Sequence, residues 1–209
     1  MIILAPITDP TKLQEYYRFR YRIYNESRLK GFVADADGID KDAYDDRAWH
    51  FGWYVDGKLV GCIRFIEPDA SETPIPMLSY VTDDGANKVV RAYIAERNAK
   101  GQRMIEASRF CLAPEQRGLR TAREFVLAMV MTMQPLGFEQ GLFDCDRSHA
   151  RFYRILGFDA LAGAEDIMLP GRVIRTTTLV YNYGRLIRRN PDLKASLVFD
   201  PEQGARKAA

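Results

Sequence analysis

Met104-Ile105-Glu106-Ala107-Ser108-Arg109-Phe110-Cys111-Leu112-Ala113-Pro114 runs directly into Glu115-Gln116-Arg117-Gly118-Leu119-Arg120-Thr121-Ala122. The first part reads as a buried strand over 103–112, and the second as a Pro/Gly-punctuated turn into a helix over 121–133. A carboxylate (Glu106) and a guanidinium (Arg109), three residues apart, interrupt an otherwise apolar run. Residues three apart on a strand point to opposite faces, so direct pairing of the two requires a bulge. The turn that follows offers unpaired helix N–H groups and three arginines, Arg117, Arg120 and Arg123, to an anion.

Upstream, Asp9-Pro10 is a helix start, with Leu13, Tyr16, Tyr17, Tyr21 and Tyr24 recurring at helical spacing until Gly31. Residues 32–46, rich in Asp and Gly, read as an ordered loop whose carboxylates need partners. Residues 50–55 and 58–66 are β-branched and aromatic, and Asp56-Gly57 between them signals a hairpin. A helix at 88–97, a strand at 141–146, a helix at 148–156 closed by Gly157, and a strand at 172–183 complete the pattern. This order predicts an α/β fold, a mixed sheet with helices on its faces.

The 209 residues contain no long Ser/Gly/Pro linker, which predicts one domain over 1–200 and a tail at 201–209. Hydrophobic residues make up 47% and charged residues 28%, and no apolar run approaches the ~20 residues of a membrane span, so the chain reads as water-soluble. Met1-Ile2-Ile3-Leu4-Ala5-Pro6 lacks the basic region and apolar length of a secretory signal, which predicts a cytoplasmic location. Cys62, Cys111 and Cys145 are odd in number and widely spaced, and His50 and His149 are the only histidines, so neither a disulfide framework nor a metal site is expected. A net charge of +2 gives no global pull toward nucleic acid.

The residues in order, Arg20 and Tyr24, Asp42 and Asp45, Arg64, then Glu106 with Ser108, Arg109 and Phe110, resemble the autoinducer (acyl-homoserine lactone) synthase and long-chain N-acyl amino acid synthase branch of the GCN5-related N-acetyltransferases (GNAT). The resemblance covers about residues 20–158. It implies a mostly antiparallel central sheet with helices on both faces. Two departures stand out: Lys30 occupies the family's usual Trp position, with Phe32 as its substitute, and Arg120 replaces the second glycine of the acetyltransferase R-G-x-G/A loop.

The resemblance implies transfer of a fatty acyl group from an acyl carrier protein (acyl-ACP) or acyl-CoA co-substrate, with no permanently bound cofactor, to the α-amine of a small molecule. The departures favour an amino acid acceptor. The close alternative is an autoinducer synthase of quorum sensing that uses S-adenosylmethionine. More distant ones are an acetyl-CoA-dependent N-acetyltransferase and a non-catalytic acyl-thioester-binding module.

N-acyl transfer needs a neutral amine, a polarised carbonyl and a leaving thiolate. An α-amino group has a pKa of about 7.7–8.0, so a positioned carboxylate suffices as base. Glu106 is the candidate base, the alternative being a structural ion pair with Arg109. Tyr153, in the acetyltransferase-like run Ala150 to Phe158, is the candidate proton donor to the thiolate, the alternative being a core tyrosine. Arg20, Asp42, Asp45, Arg64 and Arg109 form the expected electrostatic cluster at the acceptor site, against solvated surface charges. Arg117, Gly118, Leu119, Arg120 and Thr121 are the candidate phosphopantetheine site, against an ordinary turn. Phe125 and Met129, on a helix apolar almost all round, are the candidate acyl pocket, against plain core. The arginines at the turn also suit docking of an acidic acyl carrier protein.

Overall fold

The computed structural model describes residues 2–33 and 37–191. The chain forms two compact units: one takes the chain up to Phe65 together with Arg109–Leu136, the other takes Ile66–Ser108 and the chain from Gly137. The tail expected at 201–209 lies outside the described residues. Among the described residues no helix is long and apolar enough to cross a membrane.

In the first unit, β1 (Ile2–Pro6) pairs antiparallel with β2 (Trp49–Val55), which pairs antiparallel with β3 (Lys58–Ile66). Asp56 and Gly57 both take positive φ, 48° and 78°, as a two-residue hairpin turn demands. Burial along β3 is continuous from Val60 to Ile66, so both faces are covered. Helix α1 (Pro10–Asn25) starts as expected, the Asp9 carboxylate accepting from the Lys12 N–H at 2.9 Å. It ends at Asn25, short of the predicted Gly31. It covers the face that carries His50 and Arg64, with the Tyr16 and Tyr17 rings 5.0 and 5.7 Å from the imidazole. Helix α4 (Leu119–Met131) covers the opposite face, where Phe125 lies 5.0 Å from Trp53. Gly61 permits that approach: a Cβ there would stand 2.9 Å from Leu112 and 3.1 Å from Phe125.

The second unit carries α2 (Met77–Tyr80), α3 (Asp84–Ala99) and a mixed sheet. The first residues of β4 (Met104–Leu112) run parallel to β5 (Gln140–Asp146) over Met104↔Gln140, Ile105↔Gly141 and Glu106↔Leu142. β5 is antiparallel to β8 (Arg175–Asn182), which also pairs with the short β6 (Asp159–Ala160) and β7 (Ile167–Met168). Met104 and Leu142 pack with Ala86, Val90 and Ile94 of α3 on one face. Phe143, one residue on, meets Tyr153 of α5 (Ala150–Leu156) at 4.7 Å on the other. Mostly antiparallel sheet with helices on both faces is thus the arrangement within each unit.

Several boundaries differ from expectation. Helix α3 is longer than 88–97, because Asp83 caps it by accepting from the Ala86 N–H. Helix α4 begins two residues before 121. The strand expected over 172–183 starts at Arg175 and stops at Asn182, whose side chain caps an unforeseen helix α6 (Tyr183–Arg189). β1, β6 and β7 were not foreseen from sequence.

Tyr181 lies across Gly141, and a Cβ at that glycine would stand 2.2 Å from its ring. Gly141→Ala is expected to destabilise the fold by about 1–3 kcal/mol. Gly118, with open space around its Cβ position and φ −81°, should accept alanine at a cost of no more than about 1 kcal/mol, the ordinary loss when alanine replaces a better N-cap residue. Urea denaturation of the two variants beside the wild type measures both.

Candidate active site

Charged side chains of the first unit close into a ring. Arg20, on α1, donates to Asp40 at 2.9 Å and forks onto Asp45 at 2.6 and 3.2 Å. Arg64, on β3, reaches Asp45 at 3.0 Å and Asp42 at 2.7 Å. Arg109, on β4, completes the circuit on Asp42 at 3.1 Å and on Asp40 at 2.8 and 3.3 Å. Each guanidinium bridges two carboxylates, and each carboxylate bridges two guanidiniums, so the ring is neutral as a whole.

Its position is set locally. Arg20 is 5.2 and 5.3 Å from the Tyr16 and Tyr17 rings of its own helix, a cation–π setting. Asp42 and Asp45 form a capping box on a 3₁₀ turn at Ala43–Arg47: the Asp42 carboxylate accepts from the Tyr44 N–H, and the Asp45 carboxylate accepts from the Asp42 N–H at 2.8 Å. Burial raises the Asp45 carboxyl pKa, but Arg20 and Arg64 outweigh it and hold the group well below the ordinary carboxylate range. Arg20 and Arg109 do the same for Asp40 against the same burial. His50 lies beneath, its Nε2 3.1 Å from the Asp45 carbonyl. Burial pushes its pKa down to about 4 despite Asp45, so the imidazole is neutral and its Nε2–H donates to that carbonyl.

The ring has one wet corner. The side chains of Arg20, Arg64 and Asp45 are 0% exposed and that of Asp40 2%, whereas Arg109 shows 10% and Asp42 31%. Arg109 has φ +55° inside a strand, a left-handed conformation that non-glycine residues adopt at a cost of about 1–3 kcal/mol. Its guanidinium stands 5.6 Å from both the Tyr24 and Phe32 rings, which stack on each other at 5.9 Å. Phe32, the expected substitute for the absent Trp, is thus the residue that stacks on Tyr24 beside Arg109. Asp40 is the ring member that sequence reasoning missed; its signal is the D-x-D-x-x-D spacing of Asp40, Asp42 and Asp45.

Glu106, in the second unit, is buried and level with Leu142 of β5. Arg109 directs its guanidinium to Asp40 and Asp42. Tyr153, on α5, sits edge-on to Phe143 at 4.7 Å and to Phe158 at 5.5 Å. Burial, and secondarily Cys145, raise its pKa, so it is a protonated phenol at neutral pH.

At the turn into α4, Gly118 is the N-cap and supplies no side-chain cap. The first N–H groups of this 13-residue helix, from Leu119 to Thr121, therefore face the position an anion would take. Arg117 donates to the Leu112 carbonyl at 3.1 Å, and Arg120 pairs with Glu124 at 3.0 Å. Phe125 stacks on Phe110 at 4.7 Å and, with Met129, is buried. A cavity of about 340 Å³ opens instead beside the ring, bounded by Leu13, Tyr17, Lys41, Asp45 and Asp46. No group of three or more His, Cys, Asp or Glu side chains among the described residues is arranged to hold a metal.

Residues 15–168 match the family described as N-acyl amino acid synthase FeeM. No curated protein matches the chain. Among solved structures, FeeM itself, an N-acyl amino acid synthase from uncultured soil microbes, is similar with a TM-score of 0.63 at 14% identity, over 90% of this chain and 94% of that one. BjaI, a CoA-dependent acyl-homoserine lactone synthase solved with SAM and isopentyl-CoA, gives 0.69 at 15% identity, over 100% and 96%. The spermidine/spermine N-acetyltransferase SpeG from Vibrio cholerae gives 0.57 at 12%, over 90% and 98%. At these identities the likeness is one of fold, the fold of the GNAT acetyltransferases. The matched span takes in the whole charged ring, the turn into α4, Glu106 and Tyr153, and the chain belongs to the N-acyl amino acid synthase FeeM family of acyltransferases.

Proposed function

We propose that the protein transfers a fatty acyl group from a phosphopantetheine thioester, carried on acyl carrier protein or coenzyme A, to the α-amine of an amino acid. The observation that carries this reading is the family match over residues 15–168. In this reading the ring fixes the loop at Asp40–Asp45 beside the acceptor, with Arg109 and Asp42 as its accessible corner. The uncapped start of α4, with Arg117, Gly118, Leu119, Arg120 and Thr121, receives the donor phosphate. Arg117, Arg120 and Arg123 provide positive charge for an acidic carrier protein. Phe125 and Met129 line the acyl chain's path. Glu106 removes a proton from the attacking nitrogen, and Tyr153, which holds its proton at neutral pH, gives it to the departing thiolate. The second reading, acyl-homoserine lactone synthesis from S-adenosylmethionine, is favoured by the similarity to BjaI along the full chain.

Purified protein given a long-chain acyl-CoA or acyl-ACP should release thiol only when an α-amino acid is added, with a product of the N-acyl amino acid's mass. Thiol release with S-adenosylmethionine alone selects the second reading, and activity confined to acetyl-CoA excludes both. Glu106→Gln should lower kcat by about 10²–10⁴ with the fold intact by circular dichroism. Unchanged turnover removes Glu106 from the chemistry, and a wild-type rate in Tyr153→Phe does the same for Tyr153.

The ring itself is testable by stability. Asp45→Asn strips Arg20 and Arg64 of a shared buried partner and should cost about 3–5 kcal/mol in urea denaturation. A loss below 1 kcal/mol would show the ring to be incidental.

His50 makes stability pH-dependent in a separate window. Its folded pKa, about 4, lies below the ordinary 6.5, so its contribution is complete above pH 6.5 and lost as pH falls to about 4. The depressed Asp40 and Asp45 contribute above the ordinary carboxylate pKa of about 3.9, and that part is lost only at lower pH. Between pH 7 and 4 the wild type should lose stability relative to His50→Gln, the gap between their urea midpoints moving against the wild type as pH falls, while both unfold in stronger acid; a gap that does not move with pH would show that His50 is not its source.

A further inference from the structure

Asp144, on β5, differs from every carboxylate of the ring. It pairs in register with Thr178 of β8, and its carboxylate accepts a hydrogen bond from the Thr176 hydroxyl. Among the described residues no cation faces it. The arginines nearest in sequence are engaged elsewhere, Arg147 and Arg175 on Asp166 and Arg154 on Glu165. Asp146, two residues on, is occupied by the Ser148 N–H and hydroxyl at 2.9 and 2.7 Å. Burial pushes the Asp144 pKa up to about 7, with only the Thr176 hydroxyl opposing. The residue is nonetheless half-buried, so part of it reaches the surface.

Its place on the sheet is as informative as its surroundings. The β4–β5 ladder runs to Glu106↔Leu142, and β5 continues for four residues beyond. Side chains at one register level of neighbouring strands share a face, and so do residues two apart on a strand. Glu106, Leu142 and Asp144 therefore lie on one face of the sheet, with Asp144 one step further along β5 than Glu106.

We propose that Asp144 receives the ammonium group of the acceptor and takes its first proton. This rests on the acyl-transfer reading above. An α-ammonium nitrogen must lose two protons to become an amide nitrogen, and one carboxylate that is already loaded cannot take the second. Asp144 takes the first, leaving a neutral amine. The amine nitrogen attacks the thioester carbonyl carbon, the C–N bond forms, and the nitrogen's second proton passes to Glu106. The C–S bond breaks with its electron pair on sulfur, and the thiolate takes a proton from Tyr153. Tyr153, which lies with Phe143 on the other face of the sheet, regains its proton from water, and Glu106 and Asp144 each release theirs to water. Ammonium plus thioester thus becomes amide, thiol and one free proton. A carboxylate lacking a cation attracts an ammonium ion, and a base whose pKa lies near that of an α-amine removes its proton efficiently. The ring carboxylates, each held by two arginines, suit neither task.

The test compares Asp144→Asn with wild type in the full chain, using a long-chain acyl-CoA and two nucleophiles, an α-amino acid and hydroxylamine, which is already neutral at pH 7. Expected for Asp144→Asn is a fall of about 100-fold in kcat/KM for the amino acid, loss of its acidic limb near pH 7, an unchanged KM for acyl-CoA, and wild-type rates with hydroxylamine. Equal losses with both nucleophiles, or an unchanged amino acid profile, overturn the proposal. Titration calorimetry separates it from the reading it rests on. If wild type acylates no α-amine, acyl transfer to an amine falls, and binding of amino acids and S-adenosylmethionine still decides on Asp144. Binding that weakens at least tenfold in Asp144→Asn supports its role, and equal binding overturns it.

Discussion

Closure of the charge ring is the constraint on which the rest of the first unit depends. Arg20 and Arg64 have no exposed side-chain surface, and a buried guanidinium without a carboxylate is costly by several kcal/mol. Their partners come from one short segment, Asp40 to Asp45, so a loop with little apolar content is held by charge instead of packing. The three arginines come from a helix and two strands, and the loop closes on all of them at once. The left-handed residue at Arg109 follows from this. Turning the strand there brings the guanidinium to Asp40 and Asp42, and those contacts offset the backbone strain.

A ring whose charges cancel orders its surroundings more than it attracts ligands. Asp40 and Asp45 are held so far toward the ionised state that neither is suited to accept a proton near neutral pH. In the proposed mechanism proton chemistry falls to groups with the opposite setting, a carboxylate and a phenol whose burial is not compensated by a cation, Asp144 and Tyr153. On that reading, compensated charge serves positioning and uncompensated charge serves proton transfer. His50, buried and neutral, serves the ring's backbone through the Asp45 carbonyl.

Much of this was legible in the sequence, for identifiable reasons. Asp56-Gly57 between β-branched runs, Asp9-Pro10 before a periodic stretch and Gly157 after one are local signals, and the hairpin, the start of α1 and the end of α5 formed where they pointed. Arg64 stood out because an arginine inside an apolar strand needs a partner. Asp40 did not, because in a loop full of aspartates nothing local says which will be buried. Asp144 was hidden for a related reason: in Leu-Phe-Asp-Cys-Asp it reads as the outward side of an alternating strand, and only tertiary cover desolvates it. The strand β1 and helix α6 were missed because each is short and takes its stability from neighbours, β1 from the whole length of β2 and α6 from an Asn182 cap inside a predicted strand.

The uneven exposure of the ring decides which of its members can be lost at least cost. Removing any one vertex of a closed ring of six leaves an open chain of five with one unit of excess charge. At Asp45 that excess would be stranded on arginines with no access to water. At Asp42 it would fall on Arg64 and Arg109, which keep Asp45 and Asp40 as partners, at the corner where solvent already enters. A ligand carboxylate placed there could supply the missing charge itself, since two guanidinium groups would stand ready in fixed geometry. The ring can therefore bear a change most readily at the Asp42–Arg109 corner, flanked by the aromatic pair Tyr24 and Phe32, because the side chains of Arg20, Arg64 and Asp45 have no exposed surface through which water would compensate a loss.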